Sequence, residues 1–201
     1  SQIKQSALAG NLGISHTRWA THGAPVTGNA HPHFSRDEVA VVHNGIIENY
    51  ESIRADLKIA GYEFVTETDS EVIAHLIHQL YRGDLLAAVR AAVARFKGAY
   101  AIAVMHKAEP QRLVGARSGS PLVVGLGKDE NFLASDALAL AGTTDQIIYL
   151  EDGDVVDIEL KRVRIVDASG APAQRQVQTV KVVAGGADLR PYQHYIQKKI
   201  F

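Results

Sequence analysis

The sequence predicts an α+β protein in which helices are gathered between two groups of strands, and three observations carry that reading. Apolar residues recur at helical spacing from about Ile46 to Phe96. From Gly98 onward they fall instead into short runs bounded by turn residues, the mark of strands. With 46% hydrophobic residues in 201, the chain can bury a substantial core.

In chain order, "QIKQSALAG" reads as the tail of a helix stopped by Gly10. "LGISHTRW" then alternates apolar and polar residues as a strand does, and Ala20 to Ser35 reads as a long ordered loop rich in Gly, Pro and Asn. "EVAVVH" is the next strand. Asn44-Gly45 reads as a sharp turn into a helix that places Ile46, Ile47, Tyr50, Ile53 and Leu57 on one face and stops at Gly61. "TDSEVIAHLIHQLYRG" opens with Thr68 and Glu71 at capping-box spacing and carries a stripe of Val72, Ile73, Leu76, Ile77 and Leu80. "DLLAAVRAAVARF" is a further helix. Strands follow at "AYAIAVM", "RLVGA", "LVVGL", "NFLAS", "QIIYL", "DVVDIE" and "VRIVD", and the small, polar stretch from Ala168 to Pro191 reads as a connector.

Charge and composition narrow the function. A formal net charge of -1 and the absence of any Lys/Arg block argue against nucleic acid or an acidic membrane as partner. The chain has no cysteine, no apolar leader and no run long enough to span a bilayer, so a cytoplasmic protein acting on small molecules is the expectation.

Three clusters carry chemistry: "RWATHG", "VVHNGIIEN" and "TETDSEV". Each has an ordinary reading, as a strand-end ion pair, a turn and a complement to a helix dipole. Together they supply what a zwitterionic amino acid requires. Arg18 offers a forked donor for an α-carboxylate, with Thr21 and His22 close enough in sequence to add donors. Asp69, beside the Thr68 cap, is placed to accept an α-ammonium group. The Asn44 carboxamide and the Gly45 backbone N–H form a candidate oxyanion hole, since no Cβ stands in the way at Gly45.

The stretches "GISHTRWATHGAPVTGNAHPH", "VVHNGIIENYESIRADL", "YEFVTETDSEVIAHLI" and "ARSGSPLVVGLG" with "ENFLASDALAL" closely resemble the glutaminase domain of the glucosamine-6-phosphate synthases, also called glutamine–fructose-6-phosphate aminotransferases. The resemblance covers nearly the whole chain. It implies an N-terminal nucleophile hydrolase fold, an αββα sandwich of two antiparallel sheets between helical layers. It also implies roles: Arg18, Thr21 and His22 on the glutamine carboxylate, Asp69 on its ammonium, Asn44 and Gly45 in the oxyanion hole, and Trp19 as the gate of an ammonia passage. L-glutamine is then the substrate of this part, with fructose-6-phosphate the acceptor on an isomerase domain, in a homo-oligomer that needs no cofactor.

The departures are as informative. The family's nucleophile is an N-terminal cysteine, whereas this chain has none, and Ser1 sits in a polar segment that aligns with a helix instead of the catalytic strand. The expectation is a sandwich truncated at its N-terminus, with residues 1–183 a partial amidotransferase domain and 184–201 a connector toward an absent isomerase domain. Such a piece is inactive for want of a thiol. The alternative from another class is a catalytically silent amino-acid-binding or interaction module on the same scaffold. The histidines at 16, 22, 31, 33 and 43 invite a metal site, but no helical His-x-x-x-His or carboxylate triad completes one, and His31 and His33 are read as ordering the long loop.

Overall fold

A computed structural model of the chain describes residues 10–17, 24 and 26–180. Local chemistry sets the helices. α1 (Tyr50–Ile59) ends where Gly61 takes φ +83°, with Gly61 N–H donating to Lys58 O and Tyr62 N–H to Leu57 O, both at 3.0 Å, the paired bonds of a Schellman stop. α2 (Ser70–Leu80) presents Val72, Ile73, Leu76 and Ile77 to the core, and α3 (Leu85–Val93) is capped by Asp84, which accepts the Leu86 N–H at 3.0 Å.

The strands form two antiparallel sheets. β1 (His33–Ser35), β2 (Val39–Ile47), β3 (Gly98–His106) and β4 (Leu113–Ser118) continue into β8 (Val155–Glu159), β9 (Arg162–Val166) and β10 (Pro172–Ala173), in the order β1-β2-β3-β4-β8-β9-β10. The second sheet runs β11-β7-β5-β6, from β5 (Val123–Leu126), β6 (Asn131–Ala134), β7 (Gln146–Tyr149) and β11 (Val177–Thr179). The three helices cover one face of the larger sheet, with Leu57, Ile73 and Leu76 against Val41 and Val104. Between the sheets lie Leu113, Val124, Ile148, Val156 and Ile158, from strands of both. The outer face of the smaller sheet carries a short 3-10 helix at Ala137–Leu140 packed on Val123 and Ile147. Each Leu or Ile fully buried in these layers contributes about 1.5–3 kcal/mol.

Four expectations need correction. "LGISHTRW" does not pair as a strand over its described part, residues 12–17. Its alternation survives as burial, with Leu12, Ile14 and His16 turned inward and Gly13, Ser15 and Thr17 exposed, because packing on the inter-sheet core needs no ladder. The loop expected over Ala20 to Ser35 gives way to a 3-10 turn at Thr27–Asn29 and to β1.

Asn44-Gly45 is no turn: both residues lie inside β2, opposite Ala101 and Tyr100 of β3, and Ile46 and Ile47 belong to the strand as well. The chain turns only at Glu48 and Asn49, where Asn49 Oδ1 accepts the Lys97 N–H at 2.9 Å. The polar stretch after Ala168 supplies β10 and β11, edge strands of both sheets, as far as Val180. The expected helix before Gly10 and the 184–201 connector lie outside the described residues.

Candidate functional site

β1 covers only Val39 to Val41 of β2, so among the described residues no strand pairs with the outer edge of β2 from His43 to Ile47. Glu48 N–H turns inward to Lys97 O at 2.8 Å, and by strand alternation the N–H groups of Ile47 and Gly45 turn to the uncovered edge. An unpaired buried N–H is costly. At Ile47 that cost is avoided by Asp69, whose Oδ2 accepts the N–H at 2.8 Å. Gly45 N–H is aimed at the same edge two residues away.

The start of α2 is built to spare Asp69 for this contact. Thr68 Oγ1 accepts the Glu71 N–H at 3.3 Å, the forward half of the capping box. Glu71 does not complete the reciprocal half at Thr68. It reaches further back, accepting from Val65 N at 2.9 Å, Thr66 N at 2.8 Å and Thr66 Oγ1 at 2.7 Å. Burial pushes the Glu71 carboxyl pKa up, but His75 and the Val65 and Thr66 donors outweigh it and bring it down to about 2.

Relieved of capping, the Asp69 side chain makes no bond to its own helix. It is 3% exposed, stands at the positive end of the α2 dipole, and has His43 Nδ1 4.0 Å from Oδ2. No described residue donates a hydrogen bond to its Oδ1. A cationic group at the edge of β2 meets a carboxylate with an acceptor in hand.

Asn44 sits on the opposite face of the strand from His43, whose Nδ1 lies 2.9 Å from Ser70 Oγ. The Asn44 Oδ1 lies 2.6 Å from His16 Nε2. With its oxygen occupied, the carboxamide has its two N–H donors left to offer. Gly45 has φ +120°, and a Cβ there would come 2.0 Å from Ala99 O. Only glycine fits, so the backbone N–H is carried at the edge with no side chain over it.

The loop from Ala24 docks beside these groups. Glu67 Oε2 accepts from Ala24 N at 3.1 Å and Asn29 Nδ2 at 3.3 Å, and Asn29 Oδ1 accepts the Glu67 N–H at 3.2 Å. His33 Nε2 lies 3.2 Å from Thr68 Oγ1, so this histidine ties the loop to a side chain next to Asp69.

Of the residues singled out in the sequence, the structure brings Asp69 against the strand that holds Asn44 and Gly45. Arg18, Trp19, Thr21 and His22 lie outside the described residues. A cleft of about 720 Å³ between the two sheets' ends, lined by Lys128, Lys161 and Arg175 among others, includes none of Asn44, Gly45 or Asp69. His16 and Asn29 were missed as site residues. The inward phase of His16, shared with Leu12 and Ile14, was the one signal available for it.

Comparison with known proteins gives a consistent result. Residues 16–142 match the family described as glutamine amidotransferase domain. The chain is 63% identical over 205 residues to the glutamine–fructose-6-phosphate aminotransferase (isomerizing) of Bordetella pertussis, a match covering 100% of this chain and 34% of that protein. Against the protein of the same name from Pseudomonas aeruginosa it is 56% identical over 195 residues, covering 96% of this chain and 32% of that one. The chain thus spans about a third of the length of the curated relatives it matches.

Among solved structures, the glutamine phosphoribosylpyrophosphate amidotransferase of B. subtilis, complexed with ADP and GMP, superimposes with a TM-score of 0.65 at 26% identity, over 78% of this chain and 35% of that one. A glutamine aminotransferase class-II domain protein from Silicibacter pomeroyi shares the fold, with a TM-score of 0.51 at 21% identity over 74% of each chain. The two-sheet sandwich is that of the amidotransferases.

Proposed function

The chain belongs to the glutamine amidotransferase family, and from that premise we propose that it is the glutamine-binding part of an enzyme that releases ammonia from L-glutamine and passes it to fructose-6-phosphate, giving glucosamine-6-phosphate. The observation that carries the reading is the 2.8 Å bond from Ile47 N–H to Asp69 Oδ2, which holds a buried carboxylate on the strand that carries Asn44 and Gly45.

In this reading the substrate lies along the uncovered edge of β2. Asp69 Oδ1 accepts from the α-ammonium group, and Arg18, Thr21 and His22 hold the α-carboxylate. The side-chain carbonyl oxygen points between Asn44 Nδ2 and Gly45 N–H. Attack on that carbonyl carbon places negative charge on the oxygen, and both donors strengthen as the charge grows, which lowers the barrier more than it tightens ground-state binding. Collapse of the tetrahedral species expels ammonia, and water ultimately supplies the oxygen of the new glutamate carboxylate. Trp19 closes the ammonia path toward the sugar. With no cysteine in its 201 residues, the chain supplies binding groups and oxyanion donors but no thiol. The sugar phosphate is a cytoplasmic metabolite, so the reading puts the protein in the cytoplasm, as a homo-oligomer.

Calorimetric titration tests the ammonium site. L-glutamine is compared with 4-carbamoylbutanoate, which has the same amide and carboxylate and no α-amino group. The chain binds glutamine at least about tenfold more tightly, and Asp69→Asn abolishes that preference. Equal affinities in the unaltered chain reject the assignment.

A further inference from the structure

A row of partly and fully buried polar side chains runs from Asn44 to Thr68, and glutamine binding does not use it. His16 Nε2 lies 2.6 Å from Asn44 Oδ1. The His16 ring stands 4.2 Å from that of His31, whose ring is 4.8 Å from that of His33. His33 Nε2 reaches Thr68 Oγ1 at 3.2 Å, and Thr68 precedes Asp69. A carboxamide oxygen only accepts, so the proton of the short contact belongs to His16 Nε2. The buried His16 Nδ1 has no hydrogen-bond partner among the described residues, so a proton there would be stranded, and the Nε2–H tautomer is the one this site selects.

We propose that His16 is the positioning residue of the oxyanion hole: it pins the Asn44 oxygen and thereby fixes which way the two Nδ2 hydrogens point. This rests on the reading of Asn44 as an oxyanion donor. An Asn side chain rotates readily about its terminal bond, and with oxygen and nitrogen exchanged it would turn an acceptor toward the developing charge. The Nε2–H of His16 removes that alternative, because Nδ2 has no acceptor to meet there. The tilted ring of His31 at 53° to His16 holds the imidazole in place, and His33 anchors the row to the segment that bears Asp69. The oxyanion donor and the ammonium acceptor are thereby set by one run of side chains.

The test is side-chain NMR on the ¹⁵N-labelled 201-residue chain. Long-range ¹H–¹⁵N correlation reads the His16 tautomer, and the Asn44 Nδ2 pair is assigned by its loss in Asn44→Ala. The expected results are the Nε2–H tautomer and two well-separated Asn44 amide protons at positions unlike those of exposed carboxamides. His16→Leu collapses the pair to the exposed positions, while His16→Gln, which carries an N–H at about the same reach, restores it. A mere packing role for His16 would make Leu the better substitute and Gln the worse. Should His16→Leu fail to fold, the wild-type tautomer and the His16→Gln spectrum decide. An Nδ1–H tautomer, or an Asn44 pair unmoved in His16→Leu, overturns the proposal. Titration of the unaltered chain with L-glutamine reports separately on the oxyanion reading: movement of the Asn44 pair and of Gly45 N–H supports it, and a bound state that moves neither contradicts it, whatever His16 does.

Discussion

Asp69 and Ile47, 22 residues apart in sequence, are joined by a 2.8 Å bond from the Ile47 backbone N–H to Asp69 Oδ2. That bond ties the start of α2 to the uncovered edge of β2. It sets a buried carboxylate beside the strand that carries Asn44 and Gly45.

Acid should loosen this junction through Glu71. Its folded-state pKa of about 2 lies below the ordinary value of 4.5, so its contribution is complete above about pH 4.5 and is lost as pH falls toward 2. The full difference is on the order of 3 kcal/mol. Urea midpoints measured from pH 6 to pH 2 should fall steeply in the unaltered chain, and Glu71→Gln should be less stable at pH 6 with a flatter profile. Parallel profiles would show that Glu71 is not the acid-sensitive group.

Gly45→Ala should be far more harmful than Gly61→Ala. Both glycines have positive φ, but a Cβ at Gly45 meets Ala99 O at 2.0 Å, whereas at Gly61 nothing lies within 4 Å. Backbone strain alone costs about 1 kcal/mol at Gly61, and the clash raises the cost at Gly45 above about 3 kcal/mol or prevents folding. Denaturant unfolding of the two variants decides this, and equal costs would count against the strand placement of Gly45.

Asp157 is fully buried and takes a two-pronged contact from Arg112, at 2.6 Å from Nε and 2.9 Å from the terminal nitrogen. The pairing holds Arg112 above the usual guanidinium range. Asp157→Ala removes the buried partner of a cation that keeps Asp84 and Glu109 beside it, and should cost roughly 1.5 to 3 kcal/mol. Glutamine affinity at a temperature where the variant is folded should not change, because β8 lies three strands from β2. A tenfold loss of affinity would mean the two regions are coupled.

The 201-residue chain should bind glutamine without turning it over. Oxyanion donors lower a barrier only when a nucleophile has been supplied, and no thiol is present among these residues. Glutamate release above background from purified material would contradict this, and its disappearance in Ser1→Ala would move the nucleophile to that serine.

The helices and most strands were legible because their period is a local property: Val72, Ile73, Leu76 and Ile77 face one way whatever surrounds them. Asn44-Gly45 was misread because the dipeptide is a strong turn signal taken alone, while its actual partners, Ala101 and Tyr100, stand more than fifty residues away. The edge strands β10 and β11 were hidden for a related reason. Edges tolerate the polar, Pro-containing sequence that also makes linkers. Asp69 could be picked out by its place at a helix start, but its hold on Ile47 N–H could not, since a backbone donor leaves no trace in residue identity. His16 required knowing that position 16 meets position 44.

A crystal structure of the chain soaked with L-glutamine shows directly where the substrate lies. The α-ammonium nitrogen should stand within hydrogen-bond distance of Asp69 Oδ1, and the side-chain carbonyl oxygen between Gly45 N and Asn44 Nδ2, at about 2.7–3.1 Å from each. Glutamine bound with its amide directed away from Asn44 and Gly45, or seated elsewhere with the edge of β2 vacant, would contradict it.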